Sequence, residues 1–142
     1  MDAYKVLIGE ILIQRKRISR EQLEGALQMQ KEKGGFIGEI LVNSGALDER
    51  DIVVALVIQC GLPYIAVNKY AIDPAIVRLI PKEVAQKEKV IALDRIGEIL
   101  SVVMVNPLTD EKKHELETLT KCRIATFIST KSEIEEAIAR NY

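Results

Sequence analysis

The sequence has no tryptophan, only 4% aromatic residues, two cysteines and one histidine among its 142 residues. Because 48% of the residues are nevertheless apolar, the core must be mostly aliphatic, and it is large enough for one domain or for two small lobes. Cys60 and Cys122 lie far apart in the sequence and belong to no recognisable motif. This usage predicts two buried thiols in a reduced, cytoplasmic environment.

Long apolar runs and an excess of either charge are also missing. No stretch approaches the roughly 20 apolar residues that a membrane-spanning helix needs, and the N-terminus lacks the pattern of a signal peptide. Residues 1–62 contain eight Lys/Arg and nine Asp/Glu, and the remainder contains twelve of each. We therefore expect neither direct insertion into a membrane nor a surface that binds nucleic-acid polymers by bulk electrostatics.

The residue combinations that catalysis and metal binding need are absent as well. There is no Gly-x-x-x-x-Gly-Lys-[Ser/Thr] phosphate-binding loop. His114 is the only histidine, and its position on a charged helix predicts a solvent-exposed side chain. Without a second histidine, neighbouring cysteines or a nucleophile beside paired carboxylates, neither a metal site nor a catalytic triad can form. The sequence thus predicts no catalytic residues, no metal ligands and no enzyme activity.

The hydrophobic periodicity changes near Gly61 and divides the chain into residues 1–62 and 63–142. In the first part, apolar residues recur at helical spacing and predict a lobe of four helices in two hairpins. Ser19 with Gln22 forms a capping box, in which each residue accepts a hydrogen bond from the backbone N–H of the other, so a helix should begin there. The stripes predicted to be buried in this lobe are Leu23, Ala26 and Leu27, and their counterparts Ile52, Ala55 and Leu56.

Strand and helix signals alternate in residues 63–142. Two apolar runs rich in β-branched residues, 90–93 and 99–105, flank a turn and predict a β-hairpin. A charged amphipathic helix over 110–121 and a third strand over 123–129 follow. The predicted fold class is α+β: an N-terminal four-helix lobe of two repeated helical hairpins, then a small α/β sandwich lobe with a short, mainly antiparallel sheet.

Residues 7–30 and 36–59, hereafter copy one and copy two, repeat one helix–turn–helix unit at an offset of 29 residues. Both contain Ile-Gly-Glu-Ile-Leu, and eight of the 24 aligned positions are identical. Duplication of a folding unit explains the apolar identities, whereas Gly9 and Gly38 cost about 1 kcal/mol each relative to alanine in a helix. The two glycines indicate close approach of the backbone to another helix or to a ligand, and the sequence leaves both explanations open.

With a five-residue spacer between them, residues 31–35, these two copies resemble the N-terminal domain of the type II secretion and type IV pilus assembly ATPases, the GspE family. They most resemble its MshEN version, a receptor for cyclic di-GMP whose signature combines a leading arginine, glycines, paired aliphatic residues and a terminal glutamine. The resemblance covers essentially the whole chain, because Val105-Asn106-Pro107 and the Ser/Thr-rich turn before the last helix also fit the family. It implies a cyclic di-GMP site at Ile8, Gly9, Leu12, Ile13, Leu27, Gln30, Ile37, Gly38, Leu41, Val42, Gly45, Leu56 and Gln59.

Four signature positions depart from the family pattern. The signature arginine is Leu7 in copy one and Phe36 in copy two, so a planar donor suited to a phosphate or a guanine edge is missing. The mid-motif glycine of copy one is Lys16, which would strain a turn that needs a positive φ, and Arg17 replaces an aliphatic residue. The run Arg15-Lys16-Arg17 either returns positive charge to this turn or forms an ordinary solvated loop. Copy one is thus altered, whereas copy two is nearly intact.

Two functions follow from this resemblance. The first is a non-catalytic regulatory and docking domain that binds the inner-membrane platform protein, or the motor ATPase, of a secretion or pilus system. The alternative is a cyclic di-GMP receptor in which each hairpin holds half of the two-fold dinucleotide, with its guanines on Ile8, Leu12, Ile37 and Leu41. The phosphates would then lie near the backbone of the two repeated glycines. No cofactor is expected apart from this ligand, and the chain is either a free-standing protein or a piece of a longer ATPase.

Overall fold

The computed structural model describes the backbone of residues 3–142 and the side chains of residues 8–58 and 60–142. The chain divides into two compact units, Met1–Gly61 and Leu62–Tyr142. A helical first unit and a second unit of helices and strands confirm the predicted α+β fold class. None of the helices in the described part of the chain is long and apolar enough to cross a bilayer.

The first unit contains the helices α1 (Ala3–Gln14), α2 (Arg20–Lys33), α3 (Ile37–Asn43) and α4 (Glu49–Cys60). The predicted capping box at the start of α2 is confirmed. The Ser19 hydroxyl accepts a hydrogen bond from the Gln22 N–H at 3.1 Å, and the Gln22 side chain accepts one from the Ser19 N–H at 2.8 Å. Asp48 and Asp51 form the equivalent box before α4. Both second helices therefore have a defined start, because these bonds satisfy N–H groups that a first turn leaves free.

The two copies pack reciprocally within this unit. Helix α1 lies on α4 and helix α2 lies on α3, so the first helix of each copy contacts the second helix of the other. Such an exchange is expected of two copies related by an approximate two-fold axis. Of the six residues in the predicted stripes, five are buried and only Leu27 is half-buried. Full burial of one large aliphatic side chain is worth about 1.5–3 kcal/mol, so both copies contribute to one core.

Each copy turns between its two helices at a residue in the left-handed region. Lys16 has φ 58°, and its counterpart Gly45 has φ 82°. The Lys16 N–H donates to the Ile13 carbonyl and the Arg17 N–H to the Leu12 carbonyl, both at 2.9 Å, and the equivalent bonds of copy two measure 3.0 and 3.1 Å. This pair of bonds is the Schellman motif that ends many helices. The expected strain at Lys16 is therefore present, because a side chain occupies a conformation that favours glycine.

The second unit contains the helices α5 (Pro74–Val77), α6 (Lys82–Glu88), α7 (Asp110–Thr120) and α8 (Lys131–Asn141), a short 3-10 turn (Val67–Lys69), and the strands β1 (Val90–Ile96), β2 (Ile99–Met104) and β3 (Arg123–Ile128). The strand order is β1-β2-β3. Strands β1 and β2 form the predicted antiparallel hairpin, whereas β2 and β3 are parallel. The sheet is therefore mixed rather than mainly antiparallel. Helix α7 joins β2 to β3, and a parallel pair needs such a crossover connection.

The two cysteines differ in their environments. Cys122 is buried, as predicted, whereas Cys60 at the end of α4 is only half-buried, and both are free thiols. Burial raises the pKa of the Cys60 thiol above its ordinary value. A raised pKa lowers the thiolate fraction at neutral pH, so Cys60 is a weaker nucleophile than an ordinary exposed cysteine.

Candidate functional site

The aliphatic signature residues fill the core of the first unit. Ile8, Leu12, Ile37, Leu41 and Leu56 are each exposed by 1% or less. The first four were expected to carry the guanines of a bound dinucleotide. In this conformation they present almost no surface to a ligand, because they are already buried in the protein.

The two repeated glycines face the second helix of their own copy. A Cβ atom at Gly9 would lie 2.8 Å from Cδ1 and Cδ2 of Leu23, and a Cβ atom at Gly38 would lie 3.4 Å from Cδ1 of Ile52. Leu23 and Ile52 are themselves equivalent residues of the two copies. Helix packing therefore accounts for Gly9, where a Cβ atom would displace Leu23, but not for Gly38, where a Cβ atom would make an ordinary contact with Ile52.

The signature glutamine of copy one has a structural partner. The Gln30 side-chain amide donates a hydrogen bond of 2.9 Å to the carbonyl of Gly35 in the spacer. This bond closes the connection between α2 and α3, so Gln30 has a role without any ligand. Its counterpart Gln59 has a side chain that lies outside the described residues.

The remaining predicted site residues lie nearer the surface. Ile13, Leu27 and Val42 are half-buried, like Gln30, and Gly45 is exposed at the turn of copy two. A ligand could reach these five residues without repacking of the core. The predicted set is thus divided between core positions and a smaller group of accessible positions.

Two arginines of the first unit are held by carboxylates, which sequence reasoning missed. The Nε of Arg17 lies 3.5 Å from the Asp51 carboxylate. The Arg20 guanidinium donates two hydrogen bonds of 3.3 Å to the Glu10 carboxylate. Neither pair has the spacing of three or four residues that marks an ion pair along one helix, so only the hairpin geometry reveals them. All three residues of the run Arg15-Lys16-Arg17 are exposed, and Arg17 contacts Asp51 near the start of α4.

The positions of the signature arginine offer no cation. Phe36 is the half-buried N-cap residue of α3, and its side chain makes no capping hydrogen bond. The side chain of Leu7 lies outside the described residues. Among the side chains that are described, no group of three or more His, Cys, Asp or Glu could hold a metal ion. His114 is exposed, as predicted.

Comparison with known proteins gives matches over the whole chain. The family model of the MshEN domain matches residues 60–142, a range that begins after the repeat. The type IV pilus assembly ATPase PilB of Myxococcus xanthus is 36% identical over 135 residues, and PilB of Thermus thermophilus is 32% identical over 137 residues. Each alignment covers 95% of this chain but only 24% and 15% of those two proteins. The chain thus spans a quarter or less of the length of these relatives.

Two solved structures share the fold. The structure of MshE with cdg (cyclic di-GMP) has a TM-score of 0.75 and 26% sequence identity, and the match covers 95% of this chain and 98% of that chain. The N-terminal domain of XpsE has a TM-score of 0.82 at 18% identity, with 100% and 98% of the chains covered. The second likeness concerns the fold alone. The first adds a solved relative in which a cyclic dinucleotide is bound.

Proposed function

Because this chain belongs to the MshEN domain family, we propose that it is a non-catalytic regulatory and docking domain of the type II secretion or type IV pilus ATPase type. The relatives that match it are named as type IV pilus assembly ATPases, and it corresponds to a minor part of each. In this proposal it works in the cytoplasm and binds the inner-membrane platform protein, or joins that protein to the motor ATPase.

The observation that carries this proposal is the use of the repeat for packing. Gly9 accommodates Leu23 of the neighbouring helix α2, and Gln30 closes the spacer. Folding can therefore explain the presence of these signature residues without a ligand, and a domain with this fold can dock in the absence of one. Leu7 and Phe36 occupy the two positions of the signature arginine. The absence of both arginines also favours docking without a ligand, because a guanidinium is the group best suited to an anionic ligand.

A binding measurement with the cytoplasmic part of the platform protein, taken from the same pilus or secretion system, tests this proposal. We expect calorimetry to detect a complex in buffer that contains no dinucleotide. The same titration with added cyclic di-GMP serves as the comparison. If the complex forms only when the dinucleotide is present, the docking proposal fails in its ligand-free form; if no complex forms under either condition, it fails entirely.

A second function, binding of cyclic di-GMP, is supported by a specific observation. The relative whose structure contains this ligand matches 95% of the chain at 26% identity. The reciprocal packing of α1 on α4 and of α2 on α3 also suits a ligand that is itself two-fold symmetric. In this proposal, the ligand contacts the thirteen predicted positions of the two copies.

The accessible positions would make the first contacts. These are Ile13, Leu27, Gln30, Val42 and Gly45. Contact of a guanine with the buried aliphatic positions would require the core of the first unit to open, which costs part of its packing energy. We therefore expect weaker binding than in a relative that has both arginines and an open site.

Calorimetry with cyclic di-GMP tests this second function. Phe36→Arg returns the signature arginine to the nearly intact copy, and a charge-assisted bidentate contact is worth about 1.5–3 kcal/mol. We expect this variant to bind at least about tenfold more tightly than the natural chain. Gly38→Arg should abolish binding, provided that its thermal melt shows a folded chain. Absence of heat and of a thermal shift at high micromolar ligand, for the natural chain and for Phe36→Arg alike, would sink the proposal.

A further inference from the structure

Strand β3 lies at one end of the sheet, so only one of its two edges pairs with β2. The backbone groups of successive residues in a strand point to opposite edges. The N–H of Arg123 donates to the Glu98 carbonyl at 2.7 Å, and the residues that alternate with Arg123 also face β2. The backbone groups of Ile124, Thr126 and Ile128 therefore point away from β2. We call them the outer edge of β3.

Neighbouring segments satisfy the backbone donors at the two ends of the outer edge. The Ile128 N–H donates to the Pro63 carbonyl at 2.8 Å, and the Ile128 carbonyl accepts from the Ile65 N–H at 2.9 Å. The Ile124 N–H donates to the Glu117 carboxylate at 3.2 Å. One end is thus closed by a short piece of main chain, and the other is closed only by a side chain of α7.

Thr126, in the middle of the outer edge, is only half-buried and has no such neighbour. Within the described part of the chain, no hydrogen bond reaches its outward N–H or its carbonyl. The segment that pairs with Ile128 cannot extend to Thr126, because the next bond in the same register would need an N–H of Pro63, and proline has none. An unpaired edge of this kind is a template on which an extended chain can add a strand.

A basic cavity adjoins the outer edge where β3 begins. It has a volume of about 500 Å³ and is lined by residues of α7 and of the start of β3. Three basic side chains, those of Lys113, His114 and Arg123, line it together with the single carboxylate of Glu117. Lys112 on the same helix forms ion pairs, whereas Lys113 and Arg123 form none with the described residues. The cavity therefore attracts negative charge.

We propose that the outer edge of β3 binds an acidic segment of a partner protein, which adds in an extended conformation at Thr126 and places a carboxylate against Lys113 and Arg123. This proposal does not depend on the proposed function. The main chain of the segment pairs with the N–H and the carbonyl of Thr126 and takes over the Ile124 N–H from Glu117. The cavity selects an acidic partner, because a basic segment is repelled and an uncharged one leaves the two cations unpaired.

Titration of the isotope-labelled chain with the peptide acetyl-Val-Glu-Val-Glu-Val-amide, followed by nuclear magnetic resonance, tests the proposal. The alternating valines favour an extended conformation. We expect a dissociation constant of about 1 mM or below, with the largest shifts at the amide signals of Ile124 and Thr126. A peptide with lysine in place of glutamate, and a backbone-methylated copy of the glutamate peptide, should each bind at least about tenfold more weakly. The first is repelled by the cavity, and the second has lost its backbone donors.

Two matched pairs of variants locate the charge that selects the peptide. Arg123→Glu should weaken binding of the glutamate peptide at least about tenfold, whereas Lys33→Glu, which reverses an exposed charge in the first unit, should change it by less than about twofold. Glu117→Gln should tighten binding about threefold, because it removes a negative charge from the cavity. Glu111→Gln, an exposed position on the same helix outside the cavity, is its control. Circular dichroism shows whether all four variants are folded.

Three results would overturn the proposal in the isolated chain. They are equal binding of the lysine or the backbone-methylated peptide, shifts that lie away from β3, and an unchanged affinity in Arg123→Glu. The titration is then repeated with the longest natural form of the protein. If binding is lost there, another segment of the same protein occupies the outer edge of β3, and the proposal of a partner protein is overturned as well.

Discussion

Copy one and copy two make the same backbone hydrogen bonds at the end of their first helices, with a lysine in one and a glycine in the other. Lys16 and Gly45 both have positive φ angles, and both second helices begin with a capping box. The outer surfaces have diverged instead: α2 exposes polar residues and Met29, whereas α4 exposes Val54, Val57 and Ile58. The duplication thus preserved the fold and its turns, while each copy acquired its own surface.

The largest effect is expected where the two copies are most alike. Leu12 and Leu41 are equivalent residues and are exposed by 0% and 1%. Truncation of a buried leucine to alanine costs about 2–5 kcal/mol, because it removes apolar contacts and leaves a cavity. Leu12→Ala and Leu41→Ala should therefore destabilise the chain by similar amounts, as measured by urea unfolding followed by far-UV circular dichroism. If only one of the two variants lost less than about 1 kcal/mol in the free energy of unfolding, the two copies would not be energetically equivalent.

Alanine substitution of the two repeated glycines should change the stability of the chain in opposite directions. At Gly9 an alanine Cβ would meet Leu23 at 2.8 Å, and overpacking costs about 1–3 kcal/mol against the gain of about 1 kcal/mol in helix propensity. At Gly38 the nearest atom is 3.4 Å away, so most of the gain should remain. We expect Gly9→Ala to be destabilising and Gly38→Ala to be stabilising in thermal melts.

A third glycine provides the control for this pair. Gly25 is exposed on α2, and a Cβ atom there would have nothing within 4 Å. Gly25→Ala should therefore gain about 1 kcal/mol from helix propensity alone. If Gly9→Ala stabilised the chain as much as Gly25→Ala does, the close approach of Leu23 would have no energetic consequence. Packing would then not explain Gly9, and a ligand would be the better explanation of this glycine.

The turns should respond to exchange of their residues. A side chain in the left-handed region costs about 1–2 kcal/mol, so Lys16→Gly should stabilise the chain by about 1 kcal/mol after allowing for the extra flexibility of the unfolded state. Gly45→Lys should destabilise it by a similar amount. Lys16→Ala distinguishes the backbone from the charge: it keeps the strain and should change the free energy of unfolding by less than about 0.5 kcal/mol. A gain in Lys16→Ala equal to that in Lys16→Gly would assign the effect to charge.

The sequence predicted the features that depend on neighbouring residues. The capping box of Ser19 and Gln22 and the strain at Lys16 each follow from a few consecutive positions, so they can be derived without the fold. The buried stripes also follow, because helical periodicity fixes which face is apolar. The match of the family model to residues 60–142 concerns the other half of the chain and agrees with the resemblance that the repeat suggested.

Features that depend on contacts between distant segments could not be predicted. Whether Gly9 faces a helix or a ligand depends on the position of Leu23, fourteen residues away. The parallel pairing of β3 depends on the path of α7 over the sheet, which no local pattern records. The exposure of Val54, Val57 and Ile58 also could not be predicted, because an apolar run such as residues 52–58 is typical of a helix that is buried on every side.

The smallest expected effect concerns the ion pair between Arg17, in the turn of copy one, and Asp51 in α4. Arg17 of copy one lies 3.5 Å from Asp51 of copy two. In the repeat, Arg17 corresponds to Ala46 and Asp51 corresponds to Gln22, so the symmetric pair carries no charge. Exposed pairs of this kind contribute about 0.2–1 kcal/mol. A double-mutant cycle with Arg17→Ala and Asp51→Asn should give a coupling energy in that range at low salt, because asparagine keeps the capping acceptor while removing the charge. At about 1 M salt the coupling should vanish, since charges are then screened beyond about 3 Å. A coupling that persists in high salt would mean that Arg17 holds the turn by packing, and copy one would then differ from copy two in shape as well as in charge.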